Sequence, residues 1–318
     1  METMEGSFRK DSLKRTIMIN FLKNIEIDRD KWDSCIKNSA QARPYAFSWY
    51  LDIMAPGWEA LVEDDYDSVC PLPSFKKFGI RYIATPIFLQ QLGAYSPDRP
   101  DNSAINEFLD YLPEYYRLID LNIGQRIDND AFRVTLKSNY ELKLSKPYEK
   151  LIADYTPHCK RNVEKSNRKK PELVQDITPA ELIDLFINNR GTDIKGIKKR
   201  DYQKLSNLMN FCLGNNKGRI LGVRSAKGRI VYGIFLVETK GRKIMLFVVN
   251  THESRESRLG YYVVNELIKE SASTRTILDF SGSSIPSIAS FMESFGSINV
   301  PFYRIYRNRL PWPLKMLK

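Results

Sequence analysis

The sequence contains few residues that could form disulfides or bind a metal. Among its 318 residues are 4 cysteines and 2 histidines. The cysteines lie far apart and form no CxxC motif, at positions Cys35, Cys70, Cys159 and Cys212. Disulfide frameworks and zinc sites both depend on closely spaced ligands of these types. We therefore expect neither disulfides nor a metal site.

Long apolar segments are also lacking. No stretch approaches the roughly 18 consecutive apolar residues of a membrane-spanning helix. Residues 1–23 mix acidic and basic side chains with short apolar runs, unlike a secretory signal. We expect a cytoplasmic protein without a membrane span. A GxSxG nucleophile elbow and a suitable Cys–His pair are missing as well, so we expect no covalent catalysis through a protein nucleophile.

The main feature that the sequence does have is a pattern that occurs twice. Residues 118–124 and 277–283 are apolar strands that break at Asp120 and Asp279 into turns of small residues, with an offset of about 159 positions. A predicted helix, at 104–116 or 261–271, precedes each strand. A three-strand meander precedes each helix, with predicted strands 58–62, 69–75 and 81–88 in the first copy and 219–223, 229–237 and 243–250 in the second. A strand-like segment, 131–144, ends the first copy, and strand 300–307 ends the second.

The order of elements within each copy predicts the fold class. Two helices lead into the meander, and a crossover helix then leads to a parallel strand. This order is typical of an α/β (α+β) unit, with a mixed, mostly antiparallel sheet flanked by helices. Ligands of such sheets bind where neighbouring strands diverge, beside the N-terminus of the next helix. Chemistry is therefore expected near the loop 250–262, which precedes the crossover helix of the second copy.

Positive charge is concentrated in the second half of the chain. Lys and Arg number 49 against 38 Asp and Glu, a formal net charge of +11. Basic clusters span 160–170 and 195–204, whereas 59–67 in the first half is acidic. Thr156 can cap a helix that begins at Pro157, which would group Lys160, Arg161 and Lys165 within two turns. The clusters predict a polyanionic partner, and the alternative is a solvated helix face.

At this point the residues resemble a known family. The order of elements is similar to that of the GNAT superfamily of N-acyltransferases. The doubled arrangement, the LDFSGS turn (278–283), the FMESFG segment (291–296) and the basic stretch 155–165 resemble the Fem-type (FemAB-like) peptidyltransferases. The resemblance covers most of the chain. It implies two tandem GNAT-like domains, the first at 1–150 and completed by the tail 308–318, and the second at 151–307 and carrying the donor site.

The resemblance also implies a reaction. Proteins of this type transfer an acyl or aminoacyl group from acyl-CoA or aminoacyl-tRNA to an amine, here expected to bind between the domains. No tightly bound cofactor is implied, because the donor is a co-substrate. The acceptor would be an amine-bearing small molecule or a cell-envelope precursor, and tRNA would be a partner if it carries the donor group. The acceptor's identity and the oligomeric state stay open.

The donor stays open as well. In the acyl-CoA enzymes a loop resembling R-x-x-G-x-G/A binds pyrophosphate, and here only Gly260 fits that pattern, while Arg258 stands where the first glycine is expected. Arg255 and Arg258 could still hold phosphate through their side chains. The alternative to an enzyme is a non-catalytic protein that binds RNA or a phosphorylated ligand on a degenerate GNAT scaffold.

These sequence patterns and the family resemblance give three groups of candidate site residues. The catalytic candidates are Asp279, which would hold or deprotonate the amine, and Tyr303, which would protonate a leaving group. The alternatives are that Asp279 only caps its turn and that Tyr303 belongs to the core. The candidates for donor binding are Arg255, Arg258, Gly260, Lys160, Arg161 and Lys165. The candidates for substrate binding are Gln90, Gln91, Ser281 and Gly282.

Overall fold

The computed structural model describes residues 17–99, 103–191, 196–283, 285–312 and 314–317. In the first half, the helices are α1 (Arg29–Asn38), α2 (Ser48–Met54) and α3 (Ser103–Asp110), and a 3-10 turn spans Pro44–Ala46. The strands are β1 (Ile19–Leu22), β2 (Glu59–Glu63), β3 (Ser68–Leu72), β4 (Ser74–Lys77), β5 (Ile80–Ala84), β6 (Leu118–Ile123) and β7 (Arg133–Lys137).

The second half begins with β8 (Tyr140–Lys143). Its helices are α4 (Tyr148–Ala153), α5 (Pro157–Asn167), α6 (Pro179–Phe186), α7 (Lys199–Gly214), α8 (His252–Glu256), α9 (Leu259–Ser271) and α10 (Pro286–Glu293). Its further strands are β9 (Leu173–Val174), β10 (Gly218–Arg224), β11 (Ile230–Thr239), β12 (Arg242–Asn250), β13 (Ile277–Asp279), β14 (Ile298–Asn299) and β15 (Phe302–Asn308). Among the described residues, no helix is both long enough and apolar enough to cross a lipid bilayer.

The strands form three sheets, which confirm the predicted fold class. The orders are β1-β2-β3, then β4-β5-β6-β15-β7, and then β14-β8-β13-β12-β11-β10-β9. Within the described ranges, β5–β6 and β12–β13 pair in parallel and the other strand pairs are antiparallel. Helices flank these mixed sheets, as the order of elements predicted.

The two parallel pairs lie at corresponding positions of the repeat that the sequence predicted. In the first half Tyr82 pairs with Leu118 and Ala84 with Asp120. In the second half Arg242 pairs with Ile277 and Ile244 with Asp279. Each parallel pair is short and ends at the aspartate, after which its two strands part. Asp120 and Asp279 therefore end corresponding pairings, but the predicted break at Asp120 is wrong, because β6 continues to Ile123 whereas β13 stops at Asp279.

Two strands pair in the sheet of the other half from the one to which the sequence assigned them. The segment 131–144 is two strands rather than one, because β7 pairs with β15 whereas β8 pairs with β13 in the seven-stranded sheet. The strand predicted at 300–307 in the second half lies instead between β6 and β7 of the first. Each crossing strand covers an edge of β6 or β13 that the repeat leaves unpaired. The chain continues along the same edge, where the Arg309 amide donates to the Arg117 carbonyl at 2.7 Å.

Side chains of the two halves also contact each other, through two pairs of aromatic rings and one hydrogen bond. Trp49 of α2 stacks on Phe211 of α7 with ring centroids 5.2 Å apart. Phe88 lies edge-on to Phe247 of β12 at 5.7 Å. The ammonium group of Lys204 donates to the Met54 carbonyl at 2.9 Å. Apolar burial of this kind fixes the halves against each other, so that polar groups from both can form one site.

Helix α5 begins as the sequence predicted. The Thr156 hydroxyl accepts a hydrogen bond from the Cys159 amide, and Pro157 takes the first helical position. The helix packs against α9. The rings of His158 and Tyr261 lie 6.0 Å apart, and the Lys169 ammonium group, just beyond the end of α5, lies 3.0 Å from the Ser257 hydroxyl. The basic end of α5 therefore lies beside the loop that precedes α9.

Candidate functional site

Four charged side chains meet where the two halves join, and we call them the buried ion network: Arg43, Glu141, Arg242 and Asp279. Arg43 donates to Glu141 Oε1 and to Asp279 Oδ2, both at 3.0 Å. Arg242 donates to the same two oxygens at 2.9 and 2.7 Å. Arg43 belongs to the first half and precedes the 3-10 turn. The other three come from β8, β12 and β13 of the seven-stranded sheet.

The network is nearly closed to solvent. Both arginine side chains are 13% exposed, Glu141 is 9% exposed and Asp279 is fully buried. Burial acts to raise the pKa of Glu141, but Arg242 and Arg43 hold that pKa below its ordinary value. Burial acts to lower the pKa of Arg43, but Asp279 and Glu141 hold it above its ordinary value. The network combines two guanidinium groups with two carboxyl groups, so its formal charges cancel.

Asp279 caps its turn, and both of its carboxylate oxygens are already in use. Oδ1 accepts the Ser281 amide at 3.0 Å, which is the turn-capping interaction given as the alternative. Oδ2 accepts from Arg43 and Arg242. A buried carboxylate with two guanidinium partners is poorly suited to take a proton from an amine. The geometry favours a residue that positions the two arginines.

The predicted substrate residues Gln90 and Gln91 are joined to this network. The Gln91 amide nitrogen donates to Gln90 Oε1 at 2.9 Å, and Gln90 in turn donates to Asn139 Oδ1 at 2.9 Å. The Asn139 nitrogen lies 3.3 Å from Glu141 Oε1. A continuous chain of side-chain hydrogen bonds therefore connects the first half to Asp279.

The turn after Asp279 requires its small residues. Ser281 and Gly282 have φ angles of +60° and +57°, in the left-handed region. A Cβ atom added to Gly282 would lie 2.2 Å from the Ser138 carbonyl oxygen and 2.9 Å from Asn139 Cα. The turn thus packs against the β7–β8 connection, and glycine permits that approach. Five predicted residues converge here: Asp279, Gln90, Gln91, Ser281 and Gly282.

A cavity of about 150 Å³ adjoins the network. It is lined by Ala40, Gln41, Arg43, Leu92, Tyr95, Gly124, Gln125 and Arg242. The lining includes two guanidinium groups and no carboxylate. Burial raises the pKa of Tyr95, while Arg43 and Arg242 act to lower it, so the phenol stays protonated. Gln125 is 4% exposed, and its Oε1 has no hydrogen-bond partner among the described residues.

Tyr303 lies apart from these residues. It belongs to β15, opposite Ile123 and Leu136, and packs half-buried against the core of the first half. Its neighbour Arg304 donates to both carboxylate oxygens of Asp120, at 2.6 and 2.8 Å. The position agrees with the core alternative, and a catalytic role for Tyr303 stays a prediction.

The structure divides the predicted donor residues between two places. Arg255 donates to the Asn250 carbonyl, and Arg258 has a φ of +60° where α9 begins. Gly260 is buried in the first turn of α9. The Lys160 side chain extends instead towards α4, where its ammonium group donates to the Ala153 carbonyl at 3.0 Å.

The remaining basic residues of α5 extend towards the loop. Arg161 and Lys165 are exposed, and Lys165 precedes by four residues the Lys169 that contacts Ser257. Lys169 belongs to the 160–170 cluster but was not among the predicted site residues. Lys165, Lys169 and Arg258 form a basic surface, which we call the donor surface after the role predicted for Lys165 and Arg258, and that role stays a prediction.

Most of the buried ion network was missed from sequence. Arg43, Arg242 and Glu141 belong to no motif. Asn139 lies in the strand-like segment 131–144 and Gln125 directly follows the segment 118–124, but neither residue has a signal of its own. One signal was present: Glu141 lies between the apolar residues Tyr140 and Leu142 in a strand whose neighbours are buried. A charge at the centre of a buried strand indicates a partner of opposite sign. The sequence alone does not identify that partner.

Comparison with known proteins gives the fold but not the function. No family model matches the sequence, and no curated protein matches it. FemX is similar in structure with a TM-score of 0.64 and 12% identity, covering 92% of this chain and 98% of FemX. L-PGS from Bacillus licheniformis has a TM-score of 0.52 and 12% identity, with coverages of 91% and 95%.

A conserved protein of unknown function from Bacteroides thetaiotaomicron is similar to the same extent. Its TM-score is 0.58 at 12% identity, and the match covers 91% of this chain and 99% of that one. These likenesses extend over nearly the whole chain in each case. The chain therefore has a Fem-like fold of the GNAT type, as the resemblance in its sequence implied.

Proposed function

We propose that the protein is an N-acyltransferase that moves an acyl or aminoacyl group from a polyanionic donor to an amine. The donor binds at the second half, and the acceptor binds where the halves meet. The amine nitrogen attacks the carbonyl carbon of the activated ester, a C–N bond forms, and the C–O bond to the carrier breaks. The carrier hydroxyl leaves with the proton that the amine loses. Such a reaction needs alignment more than a protein nucleophile.

One observation carries this proposal: the chain of hydrogen bonds from Gln91 to Asp279. It joins the two halves beside an accessible cavity and ends in the buried ion network. Buried ion pairs often contribute less stability than an apolar replacement would, because their desolvation is costly. A polar assembly of this size at the junction is therefore better explained by a ligand than by stability. It also lies where β12 and β13 part, the usual ligand position in such sheets.

The donor surface favours aminoacyl-tRNA over acyl-CoA. A pyrophosphate loop needs free backbone N–H groups, but α8 occupies this loop and uses the amides of Arg255, Ser257 and Arg258 in its own turns. The basic side chains of the donor surface remain available to phosphates. They suit a long polyanion, which is held through many separate phosphate contacts. Acyl-CoA held by Arg255 and Arg258 is the competing donor.

In this proposal the acceptor is an amine-bearing small molecule or a cell-envelope precursor. Arg43 and Arg242, held in place by Asp279 and Glu141, form one wall of its cavity. Gln90 and Gln91 orient Glu141 through Asn139. Tyr303 is retained as a candidate proton donor for the leaving group, and Tyr303→Phe tests it, because loss of the hydroxyl alone would slow transfer.

A non-catalytic RNA- or phospholigand-binding protein is the second candidate. The observation that favours it is the altered donor loop, in which α8 takes the place of a pyrophosphate-binding turn. Both candidates predict binding of a polyanion, so binding alone does not distinguish them. Only an enzyme moves the acyl group to an amine.

Titration with unfractionated tRNA and with coenzyme A at several salt concentrations tests the donor. We expect tRNA binding whose logarithmic salt dependence becomes shallower by about 1 for each lost phosphate contact. The test variant is Lys165→Ala/Lys169→Ala/Arg258→Ala. The matched control, Lys76→Ala/Lys77→Ala/Arg133→Ala, removes the same charge from exposed positions of the first half and should keep the slope.

The outcomes separate the candidates. Coenzyme A binding that is lost in Arg255→Ala/Arg258→Ala, without tRNA binding, would make acyl-CoA the donor. Equal slopes in the test and control variants would remove the donor surface from the proposal. Binding of tRNA without transfer from any charged tRNA to an amine would favour the non-catalytic protein.

A further inference from the structure

We infer that the cavity beside the buried ion network binds an α-amino carboxylate, either as a free amino acid or as the end of a longer molecule. That this ligand is the acceptor rests on the proposed function, whereas its binding does not. Three features of the cavity carry the inference. Its lining contains two guanidinium groups and no carboxylate. It also contains one buried hydrogen-bond acceptor that has no partner among the described residues, and the cavity is small.

The cations provide donors for a carboxylate. The guanidinium groups line the cavity, and Glu141 and Asp279 bind them from outside its lining. Among the described residues, the network uses two of the five N–H groups of Arg43 and three of those of Arg242. The others can donate to a ligand. Guanidinium and carboxylate groups match in geometry, and their charge-assisted hydrogen bonds are strong.

The unpartnered oxygen provides an acceptor for an amine. Gln125 donates through its nitrogen to the Ala94 carbonyl, which fixes the orientation of the amide. Its Oε1 is buried and has no partner among the described residues, although it belongs to a side chain that lines the cavity. A buried polar atom without a partner is destabilising. An N–H donor on the ligand would supply the missing partner.

Charge and size narrow the ligand further. The network is neutral, so a zwitterion adds no net charge to a buried site, whereas a phosphate dianion would add two. A cavity of about 150 Å³ is large enough for a benzene-sized molecule. That size corresponds to about six heavy atoms, as in alanine. An amine and a carboxylate on one carbon therefore match the two kinds of group in the lining, the Gln125 oxygen and the guanidinium donors.

Calorimetric titration with defined small molecules tests the inference. We expect L-alanine or D-alanine to bind, and propionate, ethylamine and inorganic phosphate to bind at least tenfold more weakly. Lactate, which replaces the amine by a hydroxyl, distinguishes an ammonium donor from any O–H donor. If lactate binds as tightly as alanine, or phosphate more tightly, the assignment to an amino carboxylate is wrong.

Two variants place the binding in this cavity. Ala40 is exposed at the lining, so Ala40→Phe should block the cavity without disturbing the network. Its control is Ala226→Phe, at an exposed turn far from the site, which should bind alanine as the wild type does. Gln125→Met should reduce the preference for alanine over propionate to about one. Alanine binding that survives Ala40→Phe, or no binding to the wild type, overturns the inference.

The assignment of the ligand and the proposed function can be rejected independently of each other. Alanine binding without any acyl transfer would keep the site and reject the transferase. Acyl transfer to amines that lack a carboxylate, without alanine binding, would keep the transferase and reject the site.

Discussion

The two halves contain the same parallel strand pairing, but its aspartate has different surroundings in each. Asp120 lies within β6, which continues to Ile123, and its 29% exposed side chain is bound by Arg304. Asp279 ends β13 fully buried, and it binds Arg43 and Arg242. The strand pairing is repeated, whereas the charge environment is not. A repeated fold therefore does not imply a repeated site.

The space beyond the two aspartates differs in the same way. In the first half the chain returns through the gap beside β6, where Leu92 forms a parallel bridge with Ile123 and Thr85 accepts the Asn122 amide at 2.7 Å. Backbone groups thus close that gap. In the second half the gap receives Arg43 from the other half and adjoins the cavity. The first copy supplies side chains to the site of the second.

The largest expected difference is in stability when each aspartate loses its charge. Asp279→Asn keeps the turn-capping oxygen but leaves two buried guanidinium groups with one carboxylate, so unfolding should become easier by about 3–5 kcal/mol. Asp120→Asn weakens a partly exposed pair and should cost at most about 1 kcal/mol. Urea unfolding of both variants measures the difference. Similar losses in the two would contradict the contrast between a buried and an exposed carboxylate.

A smaller difference is expected for the glycines at the two turns. Gly282→Ala places a methyl group against the Ser138 backbone at a positive φ, and should destabilise by about 2 kcal/mol or more. Gly124→Ala meets the Gln91 side-chain oxygen at 2.6 Å, and a side chain can move away. It should cost about 1 kcal/mol. Thermal unfolding compares them, and a larger loss for Gly124→Ala would mean that the Gln91 position is the more rigid one.

The smallest expected difference is in pH dependence. The pKa of Glu141 is lowered in the folded protein, so its stabilising contribution is present above its ordinary value of 4.5 and is lost as the pH falls through the lowered one. The pKa of Asp33 in α1 is raised by burial, although hydrogen bonds from Ser48 act to lower it. Its contribution therefore improves as the pH falls.

Unfolding of Glu141→Gln and Asp33→Asn between pH 7 and pH 3 measures these opposite signs. The gap in unfolding free energy between wild type and Glu141→Gln should narrow on acidification. The wild type should gain relative to Asp33→Asn over the same range. Slopes of the same sign in both comparisons would show that Glu141 is not held ionised by the arginines.

Local patterns predicted most of the fold and part of the site. Most strands and the Thr156 cap depend on neighbouring residues, and the structure has them where expected. The exceptions are the predicted strand 69–75, which divides between β3 and β4 of two sheets, and the predicted break at Asp120, which β6 passes through. The crossing of β8 and β15 was missed because it depends on which sheet edge is left open, a property of the assembled halves. The same reason applies to Arg43, which meets Asp279 across 236 positions. Gln90 and Gln91 were found because two adjacent glutamines after an apolar strand are unusual in themselves.

The most direct test is the rate at which a labelled aminoacyl group passes from charged tRNA to an amino acid acceptor, compared between Asp279→Asn and Asp120→Asn. Both proteins would first be confirmed as folded at the assay temperature. The account predicts that Asp120→Asn transfers within about twofold of the wild type, and that Asp279→Asn loses about a hundredfold or more, near 2.7 kcal/mol in barrier height. Equal rates in the two variants, or no transfer by the wild type from charged tRNA or acyl-CoA, would contradict it.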